Sequence, residues 1–310
     1  MYFRQLRYFT RTVELGSMSA ASNALHVAQP SLSHHMANLE SRLGVKLLVR
    51  HPGGVRCTEA GQVLYDHART ILRQLDLAEA AVKDISARCT ESVRIGLPRS
   101  CSQLLVAPLL KELGEAHPDV SLTIVEDAPT ILSDLLTRQE VDLAVLADVQ
   151  TDVKFESLRV VTEDLLLVGL DACKESPPFP VAELSALPLI LSPVPGSIRM
   201  KVDRLCKDLD IPYSVVAETL SIAIVLECIR AGICWTILPW SAFAPIQNDG
   251  SMVCREIEGG PLHRDLYVCM STSAASKASC NTVRAALIAL MRDMVGDRSW
   301  KHARVVPELV

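Results

Sequence analysis

A seven-residue apolar repeat after Thr58 is the feature that most constrains the fold. Apolar residues recur alternately four and three positions apart for three heptads. The repeat consists of Leu64, Ala68, Ile71, Leu75, Ala78, Val82 and Ile85. Such spacing predicts a helix of nearly thirty residues that pairs with a copy of itself. A helix that faces the core of its own domain is the alternative.

The charge of the chain is divided unevenly on either side of this helix. Residues 1–58 contain seven Arg or Lys and two acidic residues, a net charge of +5. The whole 310-residue chain has a formal net charge of −5, so the remaining residues carry −10. This asymmetry is typical of a small basic module joined to a neutral or acidic one.

Three helices and a hairpin are predicted within the basic segment. "FRQLRYFTRTVELG" repeats apolar residues three and four apart and stops at Gly16, after which Ser17 can cap a second helix. A third helix begins near Pro30, which suits a first helical turn, and ends at Gly44. The strand-like "KLLVR" and "VRCT" then flank the turn-forming "HPGG". A helix–turn–helix followed by a basic wing is an arrangement that reads DNA.

The start of the third helix, "QPSLSHH", presents hydrogen-bonding side chains and no acid. Gln29 can pair bidentately with adenine in the major groove, and the serines and His34 can reach bases or phosphates. Basic side chains on the wing suit backbone phosphates. The expected DNA contacts are Gln29, Pro30, Ser31, Ser33, His34, Arg50, Arg56 and Thr58. The alternatives are a plain helix cap for Gln29 and solvated surface positions for His34 and the arginines.

Beyond residue 89, apolar strand candidates alternate with helical stretches. The strand candidates are "SVRIGL", "VSLTIV", "VDLAVL", "DLLLVGL", "PLILS", "YSVVAE", "CWTILP", "MVCREI" and "RDLYVCM". Near-continuous apolar strands predict an α/β domain with mainly parallel sheets covered on both faces. The length of this region and the Pro-rich "KESPPFPVAEL" in its middle predict two subdomains with a cleft between them.

Other classes of protein are disfavoured by what the sequence lacks. The first residues, "MYFRQLRYFTRTVELG", are interrupted by charge and do not resemble a signal peptide, and no stretch approaches 18 uncharged apolar residues. The ten cysteines form no CxxC pair, and no hydrolase, zinc-protease or nucleotide-binding motif is present. We therefore expect a cytoplasmic protein without membrane contact, metal, cofactor or catalytic residues.

The amino-terminal segment resembles the signature of LysR-type transcriptional regulators. The matching positions are Ala20–Ala21, Leu25, Gln29–Pro30, Ser33, Leu39–Glu40, Leu43–Gly44, Arg50 and Thr58–Glu59–Ala60–Gly61. The departures are Ala28, Leu47–Leu48 and Cys57, each conservative in size or polarity. "HARTILRQ", "VRIGLP", "TEAGQVLYDHA" and "EDLLLVG" resemble the nitrogen assimilation control branch of that family.

This resemblance implies a domain organisation and a set of partners. Residues 1–58 would form a winged helix-turn-helix DNA-binding domain and residues 59–88 a linker and dimerisation helix. Residues 89–310 would form an effector-binding and oligomerisation domain. This domain would have two α/β subdomains like those of periplasmic binding proteins, with crossovers near 162–166 and 265–270. The expected partners are promoter DNA, further copies of the chain in a dimer or homotetramer, and RNA polymerase as a candidate.

In the family a ligand lies between the subdomains, against loops that follow strands. Those loops here are "LPRSCSQ", "EDAPT", "SPVPGSIR" and "AETLSI", and three of them place hydroxyls at the start of a helix. Free N–H groups and the positive dipole end of a helix favour a small carboxylate or another anion. The expected effector contacts are Arg99, Ser100, Cys101, Ser102, Ala128, Ser197, Arg199, Thr219 and Ser221. Serines that only cap their helices are the alternative, and for Cys101 we favour a buried thiol over a redox sensor.

Together these features predict a sequence-specific DNA-binding transcriptional regulator. A small-molecule binding or transport module without a DNA role is the alternative, and the basic segment argues against it. The resemblance to the nitrogen-control branch leaves a second question open. Regulators of that branch work without a coinducer, in which case the cleft would hold no ligand.

Overall fold

A computed structural model describes residues 2–51, 53–84, 91–149, 155–170, 178–244, 252–258 and 262–307. The chain forms two compact units, Met1–Cys89 and Thr90–Val310. Each unit has its own hydrophobic core.

The first unit begins with three short helices and a hairpin, as predicted. These elements are α1 (Phe3–Leu15), α2 (Met18–Ala24), α3 (Gln29–Leu43), β1 (Leu48–His51) and β2 (Gly54–Cys57). Helices α1 and α3 end at Gly16 and Gly44, whose φ angles of +60° and +70° favour glycine. Phe9, Leu32 and Leu39 are fully buried in the core that the helices share.

The long helix α4 (Glu59–Asp84) follows the hairpin, as the heptad repeat predicted. Ala68 is fully buried and Leu64 packs against the core of the first unit, whereas Ile71 is 37% exposed. The first part of the repeat therefore serves its own unit. The side chain of Val82 and the whole of Ile85 lie outside the described residues, and pairing with a second copy stays a prediction.

The described part of the second unit contains all nine predicted strands and a tenth that was not predicted. The strands are β3 (Glu91–Pro98), β4 (Val120–Asp127), β5 (Leu143–Ala147), β6 (Phe155–Gly169), β7 (Pro188–Leu191), β8 (Ser214–Glu218), β9 (Thr236–Pro239), β10 (Val253–Arg255), β11 (His263–Ser271) and β12 (Ala303–Val305). The helices are α5 (Arg99–Ala116), α6 (Pro129–Thr137), α7 (Ser197–Asp208), α8 (Ile222–Arg230), α9 (Trp240–Phe243) and α10 (Ala278–Gly296), with a 3-10 helix at Val181–Ala186. This is an α/β domain, as was expected.

The prediction of mainly parallel sheets is wrong. In the described part of this unit, β3 runs parallel to β4 and β5, and β7 runs parallel to β8. The long strand β6 pairs antiparallel with β9, β10, β11 and β12, and β11 pairs antiparallel with β5. A continuous apolar run reports that both faces of a strand are covered, and it does not report the direction of the neighbouring strand.

Strand β6 joins the two subdomains of the second unit. It pairs with β11 as far as Asp164 and with β9 from Leu165. Strand β10 ends at Arg255 and β11 begins at His263, and the crossover expected near 265–270 stays a prediction. The first subdomain holds β3–β5, α5, α6 and α10, and the second holds β7–β10, α7 and α8. Each is built around its own buried apolar clusters.

Candidate functional site

The outward face of α3 carries the side chains that were predicted to contact DNA. Gln29, Pro30, Ser31 and His34 are exposed, and Ser33 is half-buried. The opposite face buries Leu32, Met36 and Leu39. An apolar stripe spaced three and four residues apart fixes which side of the helix meets the core, so the polar residues between them face outward.

The one acid of α3 is turned inward. Oε1 of Glu40 accepts hydrogen bonds from the backbone N–H groups of Leu47 (3.0 Å) and Leu48 (3.2 Å). Nζ of Lys46 lies 2.6 Å from Oε2. Burial raises the pKa of Glu40, but these hydrogen bonds outweigh it and hold the pKa below its ordinary value. The carboxylate therefore ties α3 to the strand of the wing. Sequence reasoning missed this role because the partners are backbone groups.

The wing is fastened to the turn between α1 and α2. The backbone N–H of Val55 donates to the carbonyl oxygen of Gly16 over 2.7 Å. Gly54 has a φ of +126°, and a Cβ there would lie 2.2 Å from that same carbonyl oxygen. Arg56 is exposed on β2, while the side chain of Arg50 lies outside the described residues. The fixed hairpin presents Arg56 to solvent, where a phosphate could reach it.

Thr58 is placed as the cap of α4, although it was predicted to contact phosphate. Its hydroxyl donates to the carbonyl oxygen of Lys46 (2.7 Å) and accepts from the N–H of Gly61 (2.9 Å). A hydroxyl has a single hydrogen to donate, and here the protein uses it. A Cβ on Gly61 would lie 2.0 Å from the carbonyl oxygen of Leu47. The Thr-x-Ala-Gly segment thus docks α4 closely against the wing.

The second unit contains a cavity of about 950 Å³ between its two subdomains. Its wall includes the first residues of α5, α6, α7 and α8, which all begin there. Six of the nine predicted effector residues line it: Arg99, Ser100, Ala128, Ser197, Thr219 and Ser221. The loops that follow the strands open into the same cleft. The N-termini of the helices that come after those loops therefore lie close together.

The other three predicted effector residues, Cys101, Ser102 and Arg199, do not line this cavity. Cys101 is fully buried in the apolar core of the first subdomain, and burial raises the pKa of its thiol to about 12. Ser102 is 4% exposed, and its hydroxyl donates to Glu126 over 2.6 Å. Each helical residue is rotated by about 100° from the last, so only part of the "RSCS" stretch can face the ligand.

Arg199 is held inside the second subdomain. Its Nε donates to Asp203 (2.8 Å) and to the hydroxyl of Tyr213 (3.2 Å), and its Nη1 donates to Glu218 (2.6 Å). These contacts clamp α7 onto β8. Lys201 lines the cavity in its place. Two helical positions correspond to about 200°, so Arg199 and Lys201 face opposite sides of α7.

A spacing in the sequence could have identified the cavity face of α7. Ser197, Lys201 and Arg204 are four and three positions apart, and all three line the cavity. Residues with this spacing share one face of a helix. The prediction of Arg199 rested on its place in the loop and not on the helical period.

The cations of the cavity wall are already paired with carboxylates. Nη2 of Arg99 lies 3.2 Å from Asp127, and Nζ of Lys201 lies 3.2 Å from Asp148. An anion in the cavity would therefore be attracted more by the helix N-termini than by an unpaired positive side chain. Helices α5, α6 and α7 begin at the cavity without a side-chain cap, so N–H groups of their first turns are available there, apart from Pro129 of α6, which has none.

A buried ion pair lies where β6 and β11 meet at the crossing between the subdomains. Glu163 and Arg264 are 0% and 2% exposed, and Nε of Arg264 donates to Glu163 over 2.7 Å. Glu163 also accepts from the hydroxyl of Ser241 (2.8 Å) and from the indole Nε1 of Trp300 (3.1 Å). Arg264 contributes to the cavity wall. The network was not predicted, because its members are far apart in the sequence.

Within the residues that the structure describes, no helix combines the length and apolarity needed to cross a membrane.

Comparison with known proteins identifies both parts of the chain. Residues 3–62 match the family described as bacterial regulatory helix-turn-helix protein, lysR family. Residues 88–292 match the family described as LysR substrate binding domain. The chain belongs to the LysR family of transcriptional regulators. It is a LysR-type DNA-binding regulator, and no support is found for the alternative of a transport or binding module without a DNA role.

Two curated relatives of this LysR-type regulator share a name. The nitrogen assimilation regulatory protein nac of Escherichia coli (strain K12) is 33% identical over 243 residues, which cover 78% of this chain and 79% of the relative. The protein of that name from Klebsiella aerogenes is 31% identical over 295 residues, covering 94% of this chain and 95% of the relative. The resemblance to the nitrogen-control branch is thereby confirmed.

Solved structures of full-length regulators share the fold. CbnR complexed with its target DNA has a TM-score of 0.68 at 21% identity and covers 94% of this chain and 99% of its own. A full-length OxyR variant from Pseudomonas aeruginosa has a TM-score of 0.66 at 19% identity and covers 93% of this chain and 94% of its own. At these identities the likeness concerns the fold alone.

Proposed function

We propose that this LysR-type regulator reads promoter sequences with the exposed start of α3 and controls genes of nitrogen or amino-acid metabolism. One observation supports this mode of DNA recognition. Gln29, Ser31 and His34 are exposed while Glu40 is turned inward, so α3 offers hydrogen-bonding groups to base edges without a carboxylate that phosphates would repel. The pathway is supported by the two relatives named as nitrogen assimilation regulatory proteins.

The regulator acts as a dimer or a tetramer with one recognition helix for each half-site. The heptad repeat of α4 supports this assembly, since its residue Ile71 remains 37% exposed on a helix of 26 residues. RNA polymerase is the expected further partner at a promoter, and the cytoplasm is the expected location because the DNA is there. In this proposal residues 1–58 bind DNA, residues 59–88 link and dimerise, and residues 89–310 bind effector and assemble. No catalytic step is assigned to the chain.

The cavity of the second unit binds a small carboxylate or another small anion. The uncapped starts of α5, α6 and α7 support this, together with the hydroxyls of Ser100 and Ser197 on the wall. A regulator that needs no coinducer is the second candidate, and the internally paired cations of the wall favour it.

Selection from random DNA tests recognition, because it finds the operator sequence as part of the experiment. The full chain would select duplexes from a random pool, and fluorescence anisotropy would compare a selected duplex with a scrambled one at several salt concentrations. We expect tight, salt-dependent binding with at least about a thousand-fold preference for the selected sequence. Equal affinity for both duplexes would contradict a sequence-specific regulator.

A further inference from the structure

We propose that the Lys201–Asp148 ion pair is a built-in latch that holds the two subdomains together across the cavity without a ligand. The inference rests on the proposed function, because it concerns how the cavity of this regulator is controlled. Lys201 belongs to α7 in the second subdomain, and Asp148 directly follows β5 in the first. Their side chains meet at 3.2 Å on opposite walls of the cavity.

The Asp148 end of the latch is fixed to the first subdomain. Its backbone N–H donates to the carbonyl oxygen of Asp265 over 2.8 Å, and its Oδ1 accepts from the N–H of Asp265 over 3.2 Å. Its φ of +52° is a left-handed conformation that aspartate tolerates better than most residues. Because β11 holds both the backbone and the side chain, the carboxylate stays in place when the second subdomain moves.

The Lys201 end is fixed to the second subdomain by the clamp around Arg199. Arg199 joins α7 to Glu218 on β8, two positions before Lys201. The lysine therefore starts from a helix that cannot rotate freely. Because Asp148 and Lys201 are each held in their own subdomain, the contact between their side chains also connects the two subdomains.

Among the described residues, the ion pairs Arg99–Asp127 and Arg204–Asp208 of the cavity wall do not bridge its two sides, and the pair Arg264–Glu163 lies at the crossing itself. Arg99 and Asp127 both belong to the first subdomain, and Arg204 pairs with Asp208 within α7. The side chains of Lys201 and Asp148 are 31% and 23% exposed, so water and salt screen them less than a fully exposed pair. A pair of this kind changes the ratio of closed to open arrangements by about five-fold.

The latch gives the cavity a rule for regulation. A ligand with an ammonium group competes with Lys201 for Asp148, and a ligand with a carboxylate competes with Asp148 for Lys201. Either ligand changes the ratio of the closed to the open arrangement only as far as it binds one of the two arrangements more tightly than the other. Without a ligand the latch keeps one arrangement favoured, as a regulator without a coinducer requires.

Hydrogen–deuterium exchange of the full-length protein tests the latch in the absence of any ligand. The variants are Lys201→Met, Asp148→Asn and the double variant that carries both substitutions; Asn keeps the oxygen that accepts from Asp265 and tolerates the left-handed backbone. Lys207→Met is the matched control, because Lys207 is an exposed lysine on the same helix that does not line the cavity. We expect exchange in peptides from both cavity walls to quicken several-fold in the two single variants and to stay unchanged in Lys207→Met. The double variant should exchange no faster than either single variant, because one contact can be lost only once.

The outcomes separate the latch from the proposed function. Unchanged exchange in Lys201→Met, or an equal change in Lys207→Met, would overturn the latch. Faster exchange on one wall only would also overturn it, because a bridging contact must protect both. If a single variant has a lowered Tm, the double variant decides, since effects of two groups in direct contact are not additive, and additive effects would overturn the latch. DNA binding measured on the same wild-type preparation tests the proposed function independently, so either idea can fail alone.

Discussion

The carboxylate of Glu40 accepts a hydrogen bond from the backbone N–H of Leu47 across 3.0 Å, joining α3 to the residue that leads into wing strand β1. In the proposed function α3 meets a DNA groove while the wing meets a flanking phosphate, so the two elements must be held in one geometry. The contact connects the only acid of α3 to the positioning of that helix. It also removes a negative charge from the surface that would face DNA.

Replacing Glu40 should loosen the wing. In Glu40→Gln the charge-assisted bonds to Lys46 and to the backbone are weakened, and we expect a loss of about 1–2 kcal/mol at neutral pH. Because the pKa of Glu40 is lowered in the folded protein, its contribution is present above its ordinary value of 4.5 and is lost as pH falls through the folded pKa. Amide exchange of Leu47 at pH 7 and pH 4 measures the effect. A difference from wild type that grows in acid would contradict this role.

Two glycine substitutions should have opposite signs. Gly61→Ala places a Cβ 2.0 Å from the carbonyl oxygen of Leu47, and we expect it to destabilise the first unit by about 2–4 kcal/mol. Gly114→Ala, inside α5, meets nothing within 4 Å and should stabilise the second unit by about 0.5–1 kcal/mol. Tm values compare the pair. A neutral Gly61→Ala would show that α4 does not need its close approach to the wing.

Substitutions at Gln29 and Arg56 should affect DNA binding in different ways, because Gln29 is proposed to read a base and Arg56 to contact a phosphate. Gln29→Ala should relax preference at one base pair by about 1–3 kcal/mol and leave non-specific affinity nearly unchanged. Arg56→Ala should weaken binding to every duplex and reduce the salt slope by about one unit. Anisotropy on a selected and a scrambled duplex measures both. Equal losses on the two duplexes for Gln29→Ala would remove its base-reading role.

The buried pair at the subdomain crossing should tolerate joint removal better than single removal. Glu163→Gln leaves the guanidinium of Arg264 buried without its counter-charge, and we expect a loss of about 3–5 kcal/mol. Glu163→Gln combined with Arg264→Met removes both charges and should lose less. Urea unfolding followed by tryptophan fluorescence is suitable, because Trp300 donates to Glu163. Strictly additive losses would show that the two side chains are not coupled.

Cys101 should resist alkylation in the folded protein. It is fully buried and its pKa is raised by burial to about 12, so almost no thiolate exists at neutral pH. N-ethylmaleimide followed by mass spectrometry should leave Cys101 unmodified until urea is added. The half-buried Cys228 provides the comparison within the same unit. Rapid alkylation of Cys101 in the folded protein would instead support a role in redox sensing.

The sequence by itself determined the elements and the family of this protein. Apolar spacing located three helices, the hairpin, the long helix and nine strands, because burial of one face imposes a period that can be read locally. The spacing of the residues from Gln29 to Gly61 identified the DNA-binding module. This was possible because its caps, its turns and the polar face of α3 all lie within one short segment.

Only the tertiary structure decided which polar groups meet. It turned Glu40 and Thr58 into internal anchors, directed Arg199 away from the cavity and Lys201 toward it, and joined Glu163 to Arg264 across a hundred residues of chain. It also set β6 antiparallel to its neighbours. Hydrogen bonds and ion pairs depend on distance and direction in space, and neither follows from the local periodicity that specifies a helix or a strand.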